Sequence, residues 1–196
     1  MFVQVIEGRT SDAAALTARG EEWQQSVGKG ALGYLGLTAG VTADGRAVTI
    51  VRFEDEEAAR ANSDRPEQSA WWEETAKLYD GEPTFAESSD ITEWMGGGSN
   101  DAGFVQVMKS TGVDRAKVEA MDAAFEPHKG LRPDLLGGLR IWTGADSCID
   151  VAYFTNEAEA RTGEQADMPQ ELKEMMSDTT GMGETEYLDL ADPQLR

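Results

Sequence analysis

Residues 2–7 set Gln4 and Glu7 among Phe, Val and Ile, a hydrophobic, β-branched run that predicts a β-strand. Past Ser11-Asp12 the period lengthens. Leu16, Trp23 and Val27 fall on one stripe of a helix that Asp12 can cap and that Gly28-Lys29-Gly30 ends. Residues 32–38 and 47–53 again read as strands, and Asp44-Gly45 between them marks a hairpin turn. Glu54-Asp55 opens a helical region with acids at its positive end. Ser63-Asp64-Arg65-Pro66 breaks that region into helices over 56–62 and 66–78, because proline fits a first helical turn but not a helix interior. A strand over 84–88 completes a β-α-β-β-α-β unit.

The same text is written again. Phe2-Val3-Gln4-Val5 returns as Phe104-Val105-Gln106-Val107, an offset of 102 from position 2 to position 104. Arg52-Phe53-Glu54-Asp55-Glu56 returns as Tyr153-Phe154-Thr155-Asn156-Glu157 at an offset of 101, from 52 to 153. Leu32-Gly33-Tyr34-Leu35 matches Leu136-Gly137-Gly138-Leu139, and Arg65-Pro66-Glu67 is echoed by Met168-Pro169-Gln170. A near-constant offset over four stretches identifies a tandem duplication. The second copy predicts strands over 104–109, 139–143, 148–154 and 186–190, a helix over 114–125, and a broken helix over 156–161 and 169–176. Gly96-Gly97-Gly98-Ser99-Asn100-Asp101 has the composition of a flexible linker. The expected division is therefore 1–93, a linker over 94–102, and 103–196.

Charge narrows the partners. The chain carries 37 acidic and 17 basic residues, a formal net charge of −20, which repels phosphate backbones and anionic lipid. Neither nucleic acid nor membrane is an expected partner, and no apolar run approaches the roughly 18 residues a membrane span needs. The absence of a signal-peptide pattern before the first strand points to a cytoplasmic location. The single cysteine, Cys148, sits in a strand-like run and reads as a small buried hydrophobe. No nucleotide-binding, P-loop, nucleophile-elbow or zinc-binding motif occurs, and the lone His128 leaves no multi-residue transition-metal site, so neither metal nor cofactor is expected.

A β-α-β-β-α-β unit folds as an antiparallel sheet with helices on one face, the ferredoxin-like arrangement. The expected fold is α+β, with two such repeats packed sheet to sheet as a pseudo-dimeric α+β barrel. A second copy in the same chain can serve as partner to the first, so a monomer or weak homodimer is expected. Together with the junction Val51-Arg52-Phe53-Glu54-Asp55-Glu56-Glu57-Ala58, this order of elements resembles the dimeric α+β barrel superfamily, in particular the antibiotic-biosynthesis-monooxygenase-like proteins, in tandem form. The resemblance implies small ligands held between a sheet and its helices or inside the barrel. It also implies oxygen chemistry that several members run without metal or flavin, the substrate itself activating oxygen. Haem-binding relatives ligate iron through a helical histidine; here His128 follows Pro127 in a helix-exit segment, where a cation near a helix C-terminus has a structural reason to be.

Strand parity selects the candidates. Gln4, Gln106, Thr49 and Asp150 are polar groups among apolar neighbours on central strands, while Arg140 and Trp142 share one face of a strand. Two roles stay open for the first four: bonding each other or water where the halves dock, or orienting a small polar ligand. Arg140 beside Trp142 reads either as a clamp for an anionic aromatic ligand or as an edge residue with its head in water. Trp72, next to Trp71 on the broken helix, reads as core or as lining. The functional expectation is a small-molecule enzyme, a cofactor-independent monooxygenase acting on an aromatic or polyketide-like compound. Its lining would be Gln4, Thr49, Trp72, Gln106, Arg140 and Trp142, with Asp150 as base. The alternative is a non-catalytic module, ligand-binding or stress-associated.

Overall fold

The computed structural model describes residues 1–196. The chain divides into two compact units, one made of Met1–Ile91 with Asp192–Arg196, the other of Thr92–Ala191. In the first, β1 (Phe2–Arg9), β2 (Tyr34–Val41), β3 (Arg46–Phe53) and β4 (Thr84–Ser88) are joined by α1 (Ala13–Gln25), α2 (Glu56–Ser63) and α3 (Pro66–Ala76). In the second, β5 (Ile91–Trp94), β6 (Phe104–Val113), β7 (Leu135–Trp142), β8 (Ser147–Phe154) and β9 (Met182–Leu190) alternate with α4 (Arg115–Phe125), α5 (Glu157–Glu164) and α6 (Gln170–Ser177). The last strand, β10 (Gln194–Leu195), returns to the first unit.

Each sheet has five strands, in the orders β10-β2-β3-β1-β4 and β5-β7-β8-β6-β9, and the paired strands run antiparallel. The eight longer strands and the broken helices occur where the sequence predicts them, β7 and β9 each starting four residues earlier than expected. The two short outer strands do not: Trp94 of β5 lies in the expected linker, and β10 lies outside every expected strand. Residues 91–94 pair with β7, and residues 194–195 pair with β2. Such short segments carry no period of their own and take strand geometry from the edge they meet.

Both copies repeat their local devices. Asp12 and Asp114 accept backbone N–H bonds at the starts of α1 and α4, and Asp55 and Asn156 do so for α2 and α5. Ala59 and Ala160 are fully buried where α2 and α5 meet their sheets. β2 and β7 each shift register just before Gly36 and Gly137, whose φ of +144° and +155° only glycine adopts freely. At Gly36 the freed space is used by the Arg196 carbonyl, which accepts the Leu37 N–H at 3.0 Å. No helix is long and apolar enough to cross a membrane.

Asp114 accepts from the N–H groups of both Ala116 and Lys117, at 3.0 and 3.3 Å. Asp114→Ala should cost about 1 kcal/mol, and Asp114→Asn only a few tenths, read as the shift in urea unfolding midpoint. An equal loss in both variants would mean that the cap is not what the aspartate contributes.

Candidate functional site

On β1, β2 and β3, alternate residues point toward α1 and α3. Gln4 stands opposite Val51, Ile6 opposite Thr49, and Ala39 opposite Thr49 on the other side. Between this face and the helices lies a cavity of about 370 Å³, large enough for a small organic ligand. Its floor is Gln4, Ile6, Leu37, Ala39, Val41, Thr49, Val51 and Phe53. Its roof is Leu16, Thr17, Gly20 and Trp23 of α1 with Gln68, Ser69, Trp71, Trp72 and Thr75 of α3, and Tyr79, Phe85 and Gln194 complete the wall.

The wall belongs to a continuous chain of rings. Phe53, Tyr34, Trp23, Trp71 and Trp72 follow one another at centroid distances of 6.1, 5.1, 6.4 and 6.4 Å, and Trp72 then meets Tyr79 at 6.2 Å and Phe85 at 5.3 Å. Tilted and edge-on contacts of this kind add about 0.5–1.5 kcal/mol per pair beyond area burial. Hydrogen bonds hold the rings in place. Trp23 Nε1 donates to Gln68 Oε1 at 2.6 Å, and the Arg19 guanidinium donates to the Trp71 carbonyl at 2.9 Å and to Thr75 Oγ1 at 3.3 Å. Trp71 Nε1 is buried without a partner, a cost that a uniformly packed core avoids.

Electrostatically the wall is close to neutral. No Lys, Arg or His lines it, and its one carboxylate, Glu73, is exposed. Tyr79 is buried and hydrogen-bonds Thr49; burial pushes its phenol above the usual value, so the proton stays on. Gln4 donates to Glu87 at 2.7 Å, and Arg60 binds the same carboxylate and holds its pKa low. The second copy repeats this link: Gln106 donates to Asp189 at 2.9 Å, and Asp189 also pairs with Arg161. In both units the glutamine nitrogen bonds a carboxylate of its own sheet. Each ties its inner strand to the neighbouring edge strand.

Of the residues expected to form one site, Gln4, Thr49 and Trp72 line the cavity; Gln106, Arg140, Trp142 and Asp150 do not. Registers and caps show why. Ala39 and Thr49 face each other across β2 and β3 just as Arg140 and Asp150 do across β7 and β8. Counting from the caps Asp12 and Asp114, Gly20 of α1 corresponds to Asp122 of α4. Thus three small residues of the cavity wall become, in the second unit, an ion-paired set. Arg140 Nε donates to Asp150 at 2.7 Å, and Arg140 also binds Asp122. Val41 becomes Trp142, buried with Val113, Val118 and Cys148, and Ser69 becomes the fully buried Leu172. Trp94 of β5 lies against Gly138. The space that is open in the first unit is occupied in the second.

This placement replaces both earlier readings of Arg140 and removes Asp150 as the base of that site. Burial raises the Asp150 pKa, and the Arg140 guanidinium opposes the shift. Burial acts against the Arg140 charge, but Asp150 and Asp122 outweigh it. Burial, and next the Asp150 charge, push the Cys148 thiol up to about 11. His128 hydrogen-bonds Glu171 of α6 at 3.1 Å. Trp23, Tyr79 and Gln194 were missed as lining: Trp23 read as ordinary helix stripe, and the other two lie outside any periodic segment.

No known sequence family and no curated protein matches the chain. Solved structures do. A candidate monooxygenase from Fusobacterium nucleatum covers all of this chain and 93% of its own, with a TM-score of 0.78 at 11% identity. Another, from Lactobacillus acidophilus NCFM, covers 100% of this chain and 98% of its own, with a TM-score of 0.71 at 12% identity. The chain shares their α+β fold, two ferredoxin-like repeats in tandem. An anthrone oxidase-like protein also spans the whole chain and 92% of its own, with a TM-score of 0.62 at 11% identity. At such identities this tandem chain shares a backbone plan with these proteins, and the side chains of its cavity are its own.

Two outcomes follow for the occupied unit. Arg140→Ala leaves a buried carboxylate unpaired and should cost about 3 kcal/mol in urea unfolding. Arg140→Ala combined with Asp150→Thr, the residues of the first copy, should recover most of that loss; no recovery would refute the pairing as the source of the cost. Cys148 should resist an aromatic disulfide reagent at pH 8 in the native protein and react at once in denaturant.

Proposed function

We propose that the first unit binds a small aromatic or polyketide-like compound in its ring-lined cavity, and that the protein acts on it as a cofactor-independent monooxygenase. The observation that carries the binding step is the cavity itself, apolar and aromatic, with a few polar groups at fixed places. The oxygenase step is supported by the whole-chain likeness to candidate monooxygenases and to an anthrone oxidase-like protein.

For an anthrone-type compound the chemistry balances without a cofactor. The methylene between two aryl rings loses a proton, and the resulting carbanion, conjugated to the ring carbonyl, reduces O₂. One oxygen atom stays as the new carbonyl and the other leaves as water with the two hydrogens of the methylene. The chain supplies a ring-walled, largely apolar space for the flat substrate. Thr49 and Tyr79 are paired hydroxyl groups on that wall, and in this reading the pair gives a hydrogen bond to the enolate oxygen. No buried carboxylate or histidine lines the cavity, so the proton leaves to water.

The same lack of a buried base favours a second reading, a module that binds the aromatic compound without turning it over. An oxygen electrode and equilibrium dialysis with an anthrone panel separate the two. Oxygen uptake at one O₂ per anthrone supports the enzyme; binding without uptake supports the module; neither overturns both. Gly20→Asp, Ala39→Arg and Thr49→Asp together copy the occupied unit into the open one, and should lower binding and any turnover at least tenfold in a folded protein.

A further inference from the structure

One wall of the cavity comes from the far end of the chain. β10 pairs Gln194 with Ala39 and Leu195 with Thr38, and the Arg196 N–H donates to the Leu37 carbonyl at 3.0 Å. This two-residue strand sets the Gln194 side chain across the end of the cavity beside α1. Its Nε2 donates to the Thr17 carbonyl at 3.0 Å, which fixes the orientation of the amide. With the nitrogen so held, Oε1 points at α1 where Gly20 lies; a Cβ at that position would stand 2.7 Å from Oε1. Glycine at 20 is thus what lets the amide sit there, and Asp122 occupies the corresponding helix position in the second unit.

We propose that Gln194 is a specificity-determining residue of this cavity. Its Oε1 accepts a hydrogen bond from a hydroxyl group of the bound compound, so the site selects hydroxylated aromatic molecules. The inference rests on the reading of the cavity as an aromatic-ligand site and adds to it the group that is recognised. The chemistry of the wall supports it. Thr49 is engaged with Tyr79, Thr75 donates to the Trp71 carbonyl, and the Gln68 oxygen already accepts from Trp23. Gln194 Oε1 meets no protein donor, as Gln4 Oε1 does not, and no Lys, Arg or His lines the wall. Gln194 Oε1 is an acceptor held in one orientation by its own nitrogen, suited to a neutral donor. A hydroxyl group taken into this apolar space without an acceptor would carry the full cost of its lost water.

The experiment compares 2-naphthol with naphthalene by equilibrium dialysis against the full chain and Gln194→Leu. Leucine keeps the edge strand and the approximate shape while removing the acceptor. The expected result is that Gln194→Leu binds 2-naphthol about tenfold more weakly, the consequence of an unpaired buried hydroxyl, and binds naphthalene within twofold of the natural protein. Equal losses for both compounds would make Gln194 a piece of wall and overturn the inference, as would no loss for either. If the natural protein binds neither compound, the aromatic-ligand reading itself fails and this inference falls with it. If it binds both with the same response to the substitution, that reading stands and only the role of Gln194 is lost.

Discussion

What decides the character of each unit is side-chain size on the sheet face that points to the helices. Alternation forces residues 37, 39 and 41, and 49, 51 and 53, to that face, and the hairpin register forces 39 against 49. Where those opposing positions are Ala and Thr, beneath a helical Gly, sheet and helices stand apart over a cavity. Where they are Arg and Asp beneath a helical Asp, the guanidinium bridges two strands and a helix and the space is taken. One backbone plan thus yields a hollow and a filled version, and three substitutions account for much of the difference.

The devices that both copies keep are those that make the fold rather than the site. The N-caps at Asp12 and Asp114, the buried alanines at 59 and 160, and the Gln–carboxylate–Arg links recur at matching places. Each link joins an inner strand, an edge strand and the short helix α2 or α5. Arg60 and Arg161 also lie over the rings of Phe2 and Phe104, at 5.6 and 5.2 Å. The ring chain around Trp23, Trp71 and Trp72 has no second copy, and it surrounds the hollow.

Much of this was readable from the residues alone. The periods located the long strands, and capping and proline signals such as Asp55 and Pro66 located the broken helices. Parity put Gln4 and Thr49 on the face that lines the cavity. It also put Arg140 and Asp150 on one face, and the hairpin between 142 and 147 would have set them directly opposite each other. Opposite charges at such a pair neutralise one another before any ligand arrives, so the two residues fill space instead of lining it. β5 and β10 were beyond reach for a different reason. Two to four residues carry no periodicity, and what orders them is the unpaired edge of a strand far away in sequence. Gln194 was invisible as a site residue because its place depends wholly on that pairing.

A duplicated chain also resolves a conflict between stability and function. A cavity leaves its lining without partners on one side and, here, leaves an indole N–H unpaired; both cost stability. In the second unit the corresponding volume holds an ion-paired arginine, a buried leucine and a buried tryptophan, so that unit does not carry the same void. The open unit compensates in its own terms. Seven rings in mutual contact and a guanidinium tied to the α3 backbone stiffen the roof, so the hollow can persist without the helices collapsing onto the sheet. Rigidity around empty space is what binding a flat ligand requires, because a wall already in place loses little entropy when the ligand arrives. The asymmetry between the copies is therefore one of packing: one unit is filled by its own side chains, and the other is held open by a chain of rings.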